Sequence, residues 1–280
     1  MKIPRSTQEM IPVKHILNDG TFVLDSGEYS KMFAFTDINY TELRDEEKMR
    51  RLVDYSALLN SIDKGIYAKI SIFFRPIRQE QFERDVLIPM NPEDELDDYR
   101  ENMNTVLREQ VRGTLGMTKQ AYLTITAGRR NDEDAAAFFA RVEGNLISSF
   151  QVLGVELRAV PLSERLRLLH DVYRPGLEET FRYDAHAEKK LGMNWKDSIA
   201  PLSAEALNSC THLKIGGRYC KTLFLNAYPI YLNDRIVSDI ASIGKPMIFT
   251  IDFLPIPSAE AMAEAESRSM AIDTKIVNYT

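Results

Sequence analysis

The segment most suggestive of chemistry runs from Gly216 to Thr222 and has the sequence GGRYCKT. Glycines upstream of Lys-Thr invite comparison with a phosphate-binding loop, in which backbone N–H groups and a lysine surround phosphate oxygens. That loop needs a glycine directly before its lysine and a helix directly after it. Here Cys220 precedes the lysine, and residues 223–229 have the apolar composition of a strand. The segment therefore predicts a hairpin with a two-residue turn at Gly216-Gly217.

A second segment, KMFAFTDI at residues 31–38, is partly similar to the RNP1 signature of RNA-recognition domains, whose exposed aromatic rings stack on bases. Met32 stands where that signature has glycine, and Thr36 stands where it has valine. The segment also belongs to the first strand of the unit described below, whereas RNP1 lies on a third strand. We expect Phe33 and Phe35 to be buried, and stacking on a nucleic acid is the alternative.

Two acidic runs, Asp45-Glu46-Glu47 and Glu93-Asp94-Glu95, fall in predicted first helical turns. Carboxylates at that position complement the helix dipole, which explains them without a metal or a catalytic role. The chain also has four histidines, and none of them has the H-x-x-x-H or C-x-x-C spacing of a zinc site. These are His15, His170, His186 and His212.

The two cysteines, Cys210 and Cys220, flank the predicted hairpin. A two-residue turn pairs Cys220 with Leu213 and Cys210 with Leu223, so the sulfur atoms are not opposite each other. We therefore expect free buried thiols rather than a disulfide, and so few cysteines favour a reducing compartment. The chain has no G-x-S-x-G element. The residues predict no catalytic, cofactor-binding or metal-binding position.

The composition narrows the class of protein. The chain has 280 residues and a net charge of −6, with 44% hydrophobic and 27% charged residues, as in ordinary globular proteins. Its acidic balance argues against nucleic-acid binding by bulk electrostatics, which needs clustered lysine and arginine. The longest apolar runs are far shorter than the ~20 residues of a membrane span, and no signal peptide is recognisable. We expect a cytoplasmic protein, or one that lies against a membrane without crossing it.

Residues 1–160 predict a β-meander followed by an α+β sandwich. Turn signals at Asn18-Asp19-Gly20 and Ser26-Gly27 separate three apolar segments, which predict the meander. From Tyr29 the pattern is strand, helix, strand, helical insertion, strand, helix and strand. The ranges are 29–36, 42–63, 67–75, about 79–116, 121–126, 132–153 and 155–160. This order is that of a ferredoxin-like (split βαβ) two-layer sandwich.

Capping signals predict where two of these helices begin. Thr41 is the expected N-cap of helix 42–63, and Asn91 with Pro92 predicts the start of the main helix of the insertion, which should reach Leu115. Apolar residues at helical spacing in the first helix are expected to face the core. They are Met49, Leu52, Val53, Leu59 and Ile62.

The remaining residues predict three further parts. Residues 161–209 form a mostly helical connection, and residues 210–257 form a smaller α+β subdomain that contains the hairpin, a short helix and the strand 247–254. Residues 258–280 form a helix with no stop signal before Asn278. That open pattern predicts a link into a further domain.

Three segments carry a resemblance to a known family. The first segment consists of SGEYSK at residues 26–31, FTDINY at 35–40 and the helical pattern Tyr55-x-x-Leu58-Leu59-Asn60. The second segment is WKDSIAP at 195–201. The third segment extends from Tyr219 to Leu232. In this order they resemble the N-terminal region of the conjugal-transfer ATPases of type IV secretion systems, the VirB/TraC/TrbE class. The form from Gram-positive conjugative elements is the most similar. We interpret 195–201 as a packing segment rather than an interface.

The resemblance implies a domain without a nucleotide site. In that family, ATP and magnesium bind a C-terminal RecA-like motor with a P-loop and a Walker B acid, so no ATP-binding residue transfers to this chain. It implies a non-catalytic scaffold that docks the motor to inner-membrane channel components and to other subunits during DNA transfer. The expected location is the cytoplasmic face of a bacterial membrane. The alternative is a ferredoxin-like module that binds single-stranded nucleic acid.

Overall fold

A computed structural model describes residues 4, 6–37, 43–77, 79–111, 117–186, 190, 192, 194–206, 211–226 and 236–277. Within these residues the chain is a mixed α and β protein with two antiparallel sheets. The strands are β1 Val13–Ile16, β2 Phe22–Leu24, β3 Glu28–Phe35, β4 Ile66–Pro76, β5 Met117–Gly128, β6 Leu157–Ala159, β7 Ala204–Ala206, β8 Leu213–Ile215, β9 Arg218–Cys220 and β10 Met247–Phe253. The helices are α1 Asp45–Asn60, α2 Gln79–Asp85, α3 Asp97–Val111, α4 Asp132–Val152, α5 Leu162–Tyr173, α6 Ile236–Ala241 and α7 Ser258–Val277.

The larger sheet is organised around β3. One edge of β3 pairs with β5 along its whole length, from Glu28 opposite Gly128 to Phe35 opposite Ala121. Its other edge is shared, because β2 pairs with the first half and β6 with the second half. The order of the main path is β1-β2-β3-β5-β4-β10, and the predicted meander of β1, β2 and β3 is present. Alternation along β3 therefore directs successive side chains to two differently covered faces.

One face of this sheet is covered by α1 and α4. Phe33 of β3 and Ile125 of β5 are buried there against Phe139 and Leu146 of α4. Asn131 caps α4, as its side chain accepts a hydrogen bond of 2.9 Å from the backbone N–H of Asp134. The predicted helix 132–153 is confirmed to within one residue, and its apolar face forms the main core.

The opposite face is partly covered by α5, which also closes a second core. Leu166 of α5 packs there with Phe22 of β2 and with Trp195, Ile199 and Ala200. The rings of Phe22 and Trp195 are 6.2 Å apart. Trp195, Ile199 and Ala200 are buried in this core and Asp197 is exposed, so the apolar residues of 195–201 are packing residues, as interpreted from the sequence. Helix α5 and the residues Trp195, Ile199 and Ala200 are thus packed against the meander.

The prediction of which face of α1 is buried is wrong for the first half of the helix. Leu58 is buried and Tyr55 and Ile62 pack against the core, whereas Met49 and Leu52 are exposed. The positions that face the sheet are therefore spaced three and seven residues from Tyr55, and the apolar residues before them point to solvent. The first helical residue is Asp45, after Arg44, and the proposed cap Thr41 lies outside the described residues.

The main helix of the insertion begins later than its capping signals predicted. Asn91 and Asp94 instead form turns, because their side-chain oxygens accept hydrogen bonds from the N–H groups of Glu93 and Leu96. Such local bonds compete with helix formation. The acidic run 93–95 therefore lies before α3, and the carboxylates of its first turn are Asp97 and Asp98. The predicted end of this helix lies outside the described residues.

Asp94 and Arg100 form an ion pair whose contribution to stability should depend on pH. Two hydrogen bonds from the Arg100 guanidinium, of 2.5 and 2.6 Å, lower the pKa of Asp94 from 3.8 to about 2. Because this pKa is lowered by folding, the pair stabilises the insertion at neutral pH and the stabilisation is lost as pH falls from 3.8 towards about 2. In an NMR titration of the Asp94 carboxyl carbon, Arg100→Gln should raise the midpoint towards 3.8. Arg108→Gln, which removes the bond to Glu101 instead, should leave it unchanged.

The assignment of residues 247–254 to a separate subdomain is wrong. This strand, β10, pairs along its full length with β4 of the larger sheet, from Met247 opposite Phe74 to Phe253 opposite Ala68. The predicted hairpin is present in a second sheet of order β7-β8-β9, whose strand β7 was not predicted. A free sheet edge is available to any extended segment of the chain, however distant in sequence, so local patterns could not place this strand.

Candidate functional site

The GGRYCKT segment forms the predicted hairpin turn, and the strand predicted to continue after Lys221 is not formed within residues 221–226. Gly216 and Gly217 form a two-residue turn between β8 and β9, and Ile215 pairs with Arg218. Residues 221–226 continue without regular structure and are exposed, so Lys221 does not begin a helix. Cys220 pairs with Leu213 as predicted and is a free thiol, half-buried rather than buried. The other cysteine lies outside the described residues.

The aromatic pair of β3 is covered by a helix. Phe33 is fully buried, and the ring of Phe35 packs 5.2 Å from the ring of Phe150 in α4. The intervening Met32 and Ala34 point to the other face, where they pack against a cluster that includes α5. Phe33 is buried as predicted, whereas Phe35 is half-buried with its ring against α4. The pair of exposed rings on which the nucleic-acid alternative depended is therefore not present on β3.

The other candidate residues from the sequence, the acidic runs and the histidines, do not lie together in the structure. Asp45, Glu46 and Glu47 are exposed in the first turn of α1, as predicted. The histidines are scattered: His15 lies on β1, His170 is buried in α5, and the other two are distant in sequence. Across the residues that the structure describes, no group of three or more His, Cys, Asp or Glu side chains is arranged to hold a metal ion.

The structure instead brings polar residues together in a cleft that the sequence did not indicate. This cleft, here called the α5 cleft, lies between α5 and the neighbouring face of β4 and β5, and its volume is about 420 Å³. Its walls combine arginine side chains with polar and aromatic groups. They are Arg75, Gln120, Tyr122, Pro161, Ser163, Glu164, Arg167, Leu168 and Phe181.

A hydrogen-bonded network forms the floor of the α5 cleft. Arg75 donates to the Oδ2 atom of Asp171 at 2.5 Å and also to the side-chain oxygen of Gln120. The hydroxyl of Tyr122 donates to the same oxygen of Gln120 at 3.1 Å. The Asp171 side chain is only 3% exposed, and Arg75 neutralises its charge. The network joins α5 to β4 and β5 and fixes the orientation of Arg75.

Behind this network, three side chains have the order of a hydrolase triad. His170 Nδ1 is 3.5 Å from Asp171 Oδ1, and His170 Nε2 is 3.4 Å from Thr180 Oγ1. However, the Thr180 hydroxyl donates to the carbonyl of Leu177 at 2.7 Å, and the imidazole is enclosed against Phe181. Burial lowers the pKa of His170 and so favours the neutral ring. These contacts indicate a structural group rather than an activated nucleophile.

A second cleft, of about 610 Å³, lies at the end of β3 and contains more charged residues. Its lysine and arginine are paired, because Lys119 contacts Asp37 and Arg158 donates two hydrogen bonds of 2.8 and 2.9 Å to Glu164. Both bonds to Glu164 also neutralise a carboxylate that lines the α5 cleft. With both cations paired, the charge that remains in the second cleft is the carboxylate of Glu156, so this cleft does not favour an anionic ligand.

Two helices expose apolar side chains at helical spacing. On α1, Met49, Leu52 and Val53 are 62%, 53% and 60% exposed, and they are here called the α1 stripe. On α3, the α3 stripe consists of Tyr99, Met103 and Val106, which are 71%, 52% and 46% exposed. Single exposed apolar residues are ordinary, but aligned groups on one helix face mark surfaces that pair with another protein.

Of the described helices, none is both long enough and apolar enough to cross a bilayer. Similarity to other proteins gives no independent assignment of the site. No protein-family model matches the chain, and no curated protein matches it.

Proposed function

We propose that this chain is a non-catalytic scaffold and docking domain of a type IV secretion conjugation ATPase. In this proposal it anchors a separate motor domain to the channel during DNA transfer. ATP and magnesium act in the motor, and this chain contributes protein contacts at the cytoplasmic face of the membrane. The observation that carries the proposal is the pair of uncovered apolar stripes on α1 and α3.

The α1 stripe has the properties of a protein-binding surface. Its residues lie on the side of α1 away from Leu58, so their exposure follows from the orientation of the helix on the sheet. Apolar area removed from water contributes roughly 25 cal/mol per Å², and interface centres are more apolar than the rest of a surface. The acidic first turn of α1 supplies a polar rim at one end of the stripe.

The location of the resembling segments also supports a scaffold. The first segment includes β3, the central strand, and the second includes Trp195 and Ile199, which are buried in the core of the meander and α5. Residues that a family retains for folding would occupy such positions. The proposed partners, inner-membrane channel components and other subunits of the same ATPase, come from the resemblance.

The finer fold assignment belongs to the same proposal. Strand order β6-β3-β5-β4 with antiparallel neighbours, and helices α1 and α4 on one face, supports a ferredoxin-like unit between residues 28 and 159. In that description α2 and α3 form the insertion, while β10 extends the sheet beyond the unit. A ferredoxin-like sheet that is covered on its second face by α5 is suited to carrying rigid docking helices.

The docking proposal predicts that a charge in the α1 stripe weakens assembly. We expect Leu52→Glu to weaken binding to a channel component, or self-association of the chain, by about tenfold or more, since buried interface anchors contribute about 2 kcal/mol. Sedimentation velocity measures self-association, and pull-down with cytoplasmic segments of inner-membrane channel proteins measures the second contact. Ala140→Glu, on the exposed face of α4, is the matched control and should have no effect.

Two results would contradict the proposal. One is unchanged assembly in Leu52→Glu and in a second variant that places glutamate at Met103 of the α3 stripe. The other is hydrolysis of ATP by the purified chain at a rate that depends on its own residues. Circular dichroism of each variant establishes that the helices are retained.

A further inference from the structure

Arg167 is an exception among the arginines around α5. Its neighbours each have partners: Arg75 bonds to Asp171, Arg158 bonds to Glu164, and Arg165 bonds to backbone and side-chain oxygens of Ser30. The Nε–H of Arg167 is buried and has no hydrogen-bond acceptor among the described residues. Arg167 also lines the α5 cleft. An anion bound there would supply the partner that this guanidinium lacks among the described residues, through its cleft-facing N–H groups rather than through the enclosed Nε–H.

The other polar groups of the α5 cleft define what that acceptor must be. Both carboxylate oxygens of Glu164 accept bonds from Arg158, and the side-chain oxygen of Gln120 accepts from Arg75 and Tyr122. The Arg167 guanidinium can only donate, and the exposed hydroxyl of Ser163 can both donate and accept. A ligand that presents oxygen acceptors therefore satisfies both groups.

The charges of the cleft indicate a single negative charge on the ligand. Arg75 is balanced by Asp171, and Glu164 is balanced by Arg158, so within the described part of the chain the positive charge of Arg167 is left uncompensated. A ligand with one negative charge balances this one positive charge, whereas a doubly charged phosphate would leave one negative charge without a partner in the cleft. A planar carboxylate also matches the two-pronged donor geometry of a guanidinium.

The remaining walls are apolar and fit an organic body. Leu168, Phe181 and Pro161 line the cleft beside the ring of Tyr122, and the volume of about 420 Å³ is in the range of small-molecule sites. We propose that the α5 cleft binds a small monoanionic organic carboxylate, with its carboxylate on Arg167 and its apolar part against Phe181. This binding site is independent of the docking proposal.

Titration of the full chain with three probes tests the proposal. Benzoate combines a carboxylate with an apolar ring, benzamide is its neutral analogue, and inorganic phosphate is the doubly charged competitor. We expect benzoate to bind in calorimetry and to shift the NMR signal of the Arg167 Nε–H. Arg167→Gln should weaken benzoate binding by about tenfold or more, because it removes a charge-assisted bond. Arg141→Gln, on α4, should leave it unchanged.

Each outcome decides the proposal. Binding of benzoate that is lost in Arg167→Gln and is much tighter than that of benzamide supports it. Equal binding of benzoate and benzamide, or binding that survives Arg167→Gln, would overturn the assignment of Arg167. Tighter binding of phosphate would overturn the carboxylate class, and no binding of any probe would overturn the site. None of these results depends on α1, so the docking proposal is tested separately.

Discussion

Replacement of Gly20 by alanine is expected to lower the free energy of unfolding by about 3 kcal/mol. Gly20 lies in the turn between β1 and β2 with φ of +83°, where a side chain is strained. An added Cβ would lie 2.6 Å from the carbonyl oxygen of Val160 and 3.2 Å from the backbone N of Leu162. Both contacts are backbone atoms at the junction of β6 and α5, so the turn and that junction would have to separate.

Gly27→Ala is the matched control for this prediction. Gly27 has nearly the same φ, +85°, and an added Cβ would meet nothing within 4 Å. Its loss should be about 1 kcal/mol, from backbone strain alone. Urea unfolding measured by fluorescence reports both losses, because Trp195 is the single tryptophan of the chain and is buried against β2. Equal losses in the two variants would show that the close approach to Val160 costs nothing.

Arg165→Met is the second substitution with a large expected effect, also about 3 kcal/mol. Arg165 donates to the carbonyl oxygens of Gly20 at 2.9 Å and Ser30 at 2.5 Å, and to the Ser30 hydroxyl at 2.8 Å. Its guanidinium also lies 3.8 Å above the ring of Phe22. Burial lowers the pKa of Arg165, so the bonds offset an appreciable desolvation cost. Methionine fills the space and leaves those buried oxygens without a donor.

Arg158→Met provides the comparison. Arg158 is exposed, and its pair with Glu164 is of the kind that contributes about 0–1 kcal/mol. Urea unfolding should therefore show a much larger loss of unfolding free energy for Arg165→Met than for Arg158→Met. If Arg165→Met were as stable as the native chain, the hydrogen bonds of Arg165 would do no more than cancel the cost of burying its charge.

The sequence was a good guide where one residue type answers one local requirement. Asn131 caps α4 because its side chain reaches the N–H of Asp134, and this depends on four consecutive residues. The Gly216-Gly217 turn and the alternation along β3 are equally local. Short-range patterns of this kind predicted most strands of the larger sheet and their order in the chain.

The sequence predicted the structure poorly where contact with a second helix or strand determines which residues are buried or paired. The exposed side of α1 carries as many apolar residues as the buried side, and only contact with the sheet and α4 distinguishes Met49 from Leu58. Likewise, the turn formed by Asn91 and Asp94 depends on the bonds of Asp94 with Arg100 in the following helix. The position of β10 depends on an edge more than 170 residues earlier in the chain.

The α5 cleft could not be predicted from the sequence for a related reason. Its residues come from β4, β5, α5 and the segment that follows α5, so no motif of fixed spacing joins them. The informative feature of Arg167 is that no residue described by the structure pairs with it, while Arg75, Arg158 and Arg165 each have partners. Such a difference becomes visible only when the neighbours of each guanidinium are known.

The pairing of β10 with β4 has a practical consequence for dividing this protein into fragments. A fragment that stops near residue 160 would leave the outer edge of β4 unpaired from Ala68 to Phe74, and exposed strand edges of that length promote aggregation. A protease cut within residues 221–226, by contrast, would leave two pieces that remain joined by the seven residue pairs between β4 and β10. Nicked protein should therefore migrate as one species until it is denatured.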